Sequence, residues 1–186
     1  MQRLFGIIAL IIISVIFFAF SRTPEISVVP DRNAPHHMKI SSSSFGEKEI
    51  IQPLYTCDGT DTVPPLSFSE VPAGTESFAI IVDDPDATGG RTFTHWIIWN
   101  IPADTREIKE GEVPSGAVQG MTDFGKVGYG GPCPPKGNAP HRYFFKLYAL
   151  NSELSISEGA PMIELLRAME GHILEQAEFF ALYGRL

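Results

Sequence analysis

Cysteine is scarce in this chain. Cys57 and Cys133 are the only two among 186 residues, and none lies near residue 20, which excludes a lipid-modified cysteine anchor. They stand 76 positions apart. Two arrangements are open: a disulfide, which an oxidising compartment permits, or two separate buried thiols. Basic charge is short as well. Fourteen Lys and Arg face 22 Asp and Glu, for a net charge of −8 with no basic stripe. That balance argues against nucleic acid as a partner. Two catalytic patterns are missing. No Gly-x-Ser-x-Gly marks an activated serine, and no His-x-x-x-His spacing pre-arranges a zinc site. His36 and His37, adjacent in a proline-rich stretch, read as solvated side chains rather than metal ligands. No internal repeat is visible. These absences leave no catalytic residue, metal or cofactor to expect, and point away from an enzyme.

What is present is an apolar start, many turns and short strand-like runs. Residues 4–20, LFGIIALIIISVIFFAF, carry no charge and lie between Arg3 and Arg22. At about 1.5 Å per residue they reach roughly 25 Å, slightly short of a hydrocarbon core. A cleaved signal peptide, with Ala19-Phe20-Ser21 as its cleavage site, and a retained membrane anchor are both open. Either places the remainder outside the cytoplasm, as a secreted, periplasmic or membrane-anchored protein. A buried core helix is the third reading, disfavoured because the run is apolar all round. Residues 22–37, RTPEISVVPDRNAPHH, read as a linker, and residues 38–186 as one domain.

Within that domain, 77–84, 95–101 and 142–150 are rich in β-branched and aromatic residues and bounded by Gly, Pro or Asp. Weaker strand candidates are 38–43, 49–52 and 66–69. The spacing, with 17 glycines and 15 prolines in the chain, predicts an antiparallel β-sandwich. After Pro161, Met162, Leu166, Met169, Ile173, Ala177 and Phe180 recur every three or four positions, which predicts a C-terminal α-helix. Gly171 interrupts that stripe and is expected to bend or divide the helix.

Three segments carry polar groups that the local pattern does not explain. Asp83-Asp84-Pro85-Asp86 ends an apolar strand, His95 begins the next, and His141 ends the Gly/Pro-rich stretch GYGGPCPPKGNAP. Polar groups at the ends of core strands are candidates for a shared site. Glycine lets backbone amides approach a ligand, and proline holds a loop in one shape. Gly130 and Gly131 are therefore expected to offer amides to an anion, with Pro132, Pro134 and Pro135 stiffening the wall. A nearby carboxylate is expected to keep both histidines charged. The alternative is a polar cluster that only ties two loops together.

These segments resemble the phosphatidylethanolamine-binding protein family, in its bacterial and archaeal Raf kinase inhibitor-like branch. The blocks that carry the likeness are YTCDGTDTVPPLSF (55–68), DDPDATGGRTFTHWIIWNIP (83–102), GYGGPCPPKGNAPHRYFFKLYAL (128–150) and the tail GHILEQAEFFALYGRL. The resemblance implies a mainly β, Greek-key sandwich with a C-terminal helix and a small anion pocket. Carried over by position, it makes Asp84, His95 and His141 the polar groups of that pocket and Gly131, Pro134 and Pro135 its lining. It places Asp86 and Trp96 just behind the ligand. Thr88 departs from the family, many members of which have proline there. The expected ligand is phosphate or phosphoethanolamine-like, free or as a phospholipid head group. The alternative is an extracytoplasmic protein-interaction module, such as a protease inhibitor, whose partner is a protein.

Overall fold

The computed structural model describes residues 37–186. The apolar segment expected as signal or anchor lies outside the described residues, as does the expected linker up to residue 36.

The strand β3 (Ser77–Asp84) is the centre of the fold. Its residues SFAIIVDD are buried throughout, as a strand covered on both faces requires. It pairs antiparallel with β4 (Phe93–Pro102) on one side and β7 (His141–Leu150) on the other. The short β6 (Val118–Gln119) extends the sheet beyond β4, and β8 (Ile173–Tyr183) extends it beyond β7. A second antiparallel sheet holds β1 (Lys39–Ser41), β2 (Leu66–Ser69) and β5 (Glu107–Ile108).

Alternation along the strands makes two cores. Phe78, Ile80 and Val82 point with Trp96, Ile98, Phe145 and Leu147 toward the small sheet, where they meet Ile40, Leu66 and Phe68. Ala79 and Ile81 point the other way with Ile97, Trp99 and Tyr148, against Leu165 and Met169 of the helix α1 (Met162–Met169). The chain is therefore a β-sandwich with a helix packed outside the larger sheet.

The strongest strand expectations hold, and 66–69 is β2. The stretch 38–43 contains β1, whereas 49–52 contributes only the isolated bridge Ile50↔Leu182. The helix needs a correction. It ends at Met169, Gly171 takes a φ of 79°, and Ile173–Tyr183 form a strand rather than a second half of the helix. The apolar spacing across 162–180 is helical by count, but pairing from His141↔Tyr183 to Leu150↔Ile173 overrides it. Toward its end β8 alternates: Phe179, Ala181 and Tyr183 are buried.

A candidate anion pocket at the end of the large sheet

Because the sheet is antiparallel, the end of β3 lies beside the beginnings of β4 and β7. Asp84, His95 and His141 thus arrive at one edge from three strands. A β-bulge completes the arrangement. Val82 pairs with Trp96 and Asp83 with Thr94, so His95 is an extra, unpaired residue on β4. Bulges re-aim side chains. This one swings His95 toward the cavity, while Trp96 turns into the sandwich core and donates from Nε1 to Gln119 Oε1 at 2.8 Å.

The cavity has a volume of about 190 Å³. Asp84, Thr88, His95, His141 and Tyr143 supply its polar groups, and Phe93, Phe124, Pro134, Pro135 and Cys133 much of its apolar wall. His141 Nδ1 donates to Asp84 Oδ2 at 2.8 Å, and both side chains are buried. That bond fixes the ring and leaves Nε2 as the free nitrogen. The nearest acceptors of His95 Nδ1 are the carbonyls of Gly130 at 2.7 Å and Gly131 at 3.2 Å. Carbonyls only accept, so Nδ1 carries the proton. Burial pulls His95 below the ordinary histidine value of 6.5, and outweighs the opposing bond to Gly130 and the charge of Asp84. The expectation that a carboxylate keeps both histidines charged therefore fails at His95. Its neutral ring offers Nε2 as an acceptor.

Tyr143 was not singled out in the sequence, yet it stands two residues after His141 on the same face of β7. Its hydroxyl is fully buried and meets no described residue at full hydrogen-bond geometry, with the Asp84 carboxylate near enough to accept from it weakly. Burial, then the nearby Asp84 carboxylate, hold its phenol well above the ordinary tyrosine range. It remains a donor. Phe124, also unforeseen, reaches the cavity from a turn and stacks edge-on against Phe93 and His95.

Other expected site residues stand behind the wall. Asp86 accepts from the backbone and guanidinium of Arg142 at 2.6–2.9 Å, and that guanidinium lowers its carboxyl to about 2. It braces the loop. Gly130 and Gly131 do not present amides to the cavity. Gly130 N donates to His95 O at 2.9 Å and Gly131 N to Asp61 Oδ1 at 2.6 Å. The Gly/Pro loop is instead fastened to the segment around residues 55–62. Cys57 and Cys133 form a disulfide, Cys57 N donates to Pro132 O at 3.2 Å, and Tyr129 Oη donates to Tyr55 O at 2.9 Å. The C-terminal tail joins this assembly: Arg185 pairs bidentately with Asp58, and its carbonyl accepts from Gly137 N.

The model of the phosphatidylethanolamine-binding protein family matches residues 41–184. The chain belongs to this family. The UPF0098 protein of Aquifex aeolicus is 50% identical over 153 residues, covering 80% of this chain and 89% of its own length. Two solved structures share the fold with a TM-score of 0.76. A phosphatidylethanolamine-binding protein homologue from Chlamydia trachomatis is 38% identical, covering 82% of this chain and all of its own. Escherichia coli YbcL is 33% identical, covering 80% of this chain and 99% of its own. The chain is thus a phosphatidylethanolamine-binding protein homologue of the bacterial and archaeal type.

His95 also predicts a pH dependence. Its folded pKa lies below 6.5, so the neutral ring contributes stability that is present above 6.5 and lost as pH falls toward the folded value. Between pH 7 and pH 5 the melting temperature should fall more steeply in the wild type than in His95→Asn. Parallel melting curves would show that burial of this ring does not couple to folding.

Proposed function

We propose that this protein is a binding module, not an enzyme, and that its ligand is a small phosphorylated molecule or a phosphorylated head group. The observation that carries the reading is the polar cluster in the cavity: two buried histidines whose Nδ1 atoms are engaged, with the Asp84 carboxylate and the buried Tyr143 hydroxyl beside them. Tyr143 and the Nε2 side of His141 would face phosphate oxygens. Neutral His95 would accept from a protonated one. A singly protonated phosphate monoester supplies both kinds of oxygen. The apolar wall suits the first carbons of its organic part, and the volume limits the enclosed part to a head group.

Binding is favoured over turnover because both histidines spend Nδ1 on a carbonyl or carboxylate, and neither hydrogen-bonds a hydroxyl nucleophile among the described residues. The disulfide and the apolar leader support a location outside the cytoplasm. A second reading, a protein-interaction module such as a protease inhibitor, rests on Phe124, which is 43% exposed beside the cavity.

The test is a titration of the full-length protein with inorganic phosphate and phosphoethanolamine, followed by NMR at the imidazoles of His95 and His141. Saturable shifts are expected. His141→Ala should weaken binding about tenfold or more, the loss expected for a charge-assisted bond, while melting changes much less. Unmoved imidazole signals at millimolar ligand would refute the anion reading and turn attention to Phe124 and a protein partner.

A further inference from the structure

The large sheet carries a second polar cavity on its opposite face. Asp83 and Asp84 are consecutive on β3, so their side chains leave on opposite sides. Asp84 serves the cavity described above. Asp83 opens, toward α1, into a separate cavity of about 300 Å³. Its polar end holds Asp83, Lys146 and Thr94, and its apolar part Ile81, Met162 and Leu166. This volume is at the lower end of small-molecule sites.

The ion pair in it is half used. Lys146 Nζ donates to Asp83 Oδ2 at 2.5 Å, and the Asp83 side chain is only 8% exposed. Asp83 Oδ1 is buried and accepts no hydrogen bond from the described residues. Lys146 makes that one hydrogen bond among the described residues, and an ammonium has three donors. Burial raises the Asp83 carboxyl above the ordinary carboxylate range, even against the charge of Lys146. A pair serving only to hold the sheet would be expected to satisfy its buried oxygens, because an unmet buried acceptor carries the full cost of desolvation. A buried acceptor without a donor thus lies beside a cation that is 24% exposed, rests over the Phe144 ring and keeps N–H groups beyond the pair, above an apolar floor.

We propose that this cavity is a second ligand site, distinct from the anion pocket, for a small zwitterion with an apolar side group: a free hydrophobic α-amino acid. Its ammonium would donate to Asp83 Oδ1, and its carboxylate would accept from Lys146 Nζ. Its side chain would lie on Ile81, Met162 and Leu166. Charge balance selects this class. A simple cation would meet Lys146 as a like charge, and a simple anion would meet Asp83. A zwitterion with adjacent charges meets both and leaves the net charge of the site unchanged. The short reach between its two charged groups matches the short reach across one ion pair.

The experiment titrates the full-length protein with L-leucine, L-leucinamide and N-acetyl-L-leucine, read by NMR at Thr94, Lys146 and Leu166. Saturable millimolar or tighter binding of leucine is expected. The derivatives, each lacking one charge, should bind about tenfold or more weakly. Lys146→Met should remove the preference for leucine over leucinamide, and His141→Ala should leave leucine binding unchanged. No saturable shift with leucine, or a derivative binding as tightly as leucine, overturns the proposal. The ligand series needs no variant, so a misfolded Lys146→Met would not obscure the result.

Discussion

Reduction of the Cys57–Cys133 disulfide is expected to lower the free energy of unfolding by roughly 4 kcal/mol, the chain-entropy value for a closed loop of this length. The sequence separation of 76 residues sets that magnitude, because the crosslink removes a long loop's freedom from the unfolded chain. For a domain of this size the melting temperature should fall by about ten degrees. The double variant Cys57→Ser with Cys133→Ser should melt like the reduced protein and no longer respond to reductant. Cys133 is also part of the cavity wall. That wall keeps other fastenings, namely Tyr129 on Tyr55, Gly131 on Asp61 and Arg185 on Asp58. Phosphate affinity should therefore fall much less than stability. Melting curves with and without reductant, beside a phosphate titration of the double variant, test both statements. A melting temperature indifferent to reductant would contradict the first. Complete loss of binding in a folded double variant would contradict the second.

How much of this was legible in the sequence varies by element. The strands β3, β4 and β7 were readable because each is an apolar, β-branched or aromatic run with sharp boundaries. The end of β8 was not. EQAEFFALY fits either period, and only its pairing with β7, from Ala149↔Glu175 to His141↔Tyr183, decides between them. The pocket's polar triad was legible because Asp84, His95 and His141 interrupt strand ends. Tyr143 could have been found by alternation, since it stands two residues after His141 on the same strand face. Phe124 could not, because a turn residue has no period to place it. The bulge that re-aims His95 was hidden too, since register between two strands leaves no mark on either one alone. In the sequence Lys146 is a single charged residue within the apolar run YFFKLYAL. Its pairing with Asp83 depends on the register between β3 and β7, which neither strand carries alone.

The glycines show most clearly where local reasoning stops. The sequence says that Gly131 permits a close approach, and the structure says to what. A Cβ at Gly131 would stand 2.2 Å from Tyr55 O, 2.6 Å from Asp61 Oδ1 and 2.9 Å from Thr56 Cα. Two of these are backbone atoms in the segment joined to the loop by the disulfide, and neither can rotate away. Gly131→Ala must therefore push the loop outward. That movement would strip Asp61 of its bond from Gly131 N and withdraw the carbonyls that hold His95 Nδ1. Overpacking together with two or three lost hydrogen bonds should cost about 3 kcal/mol or more. Phosphate binding should fall with it, because the ring of His95 and the wall at Pro134 and Pro135 would lose their positions. Gly137→Ala is the matched control. Gly137 lies in the same loop with a φ of 80°, but an added Cβ there meets nothing within 4 Å. Its cost should be only the left-handed backbone penalty of about 1 kcal/mol, with affinity unchanged. Melting curves and phosphate titrations of both variants separate steric approach from backbone conformation. Equal losses in the two would mean that loop conformation matters rather than its seat on Tyr55. A Gly131→Ala protein with wild-type melting and binding would show that this seat does not hold the pocket.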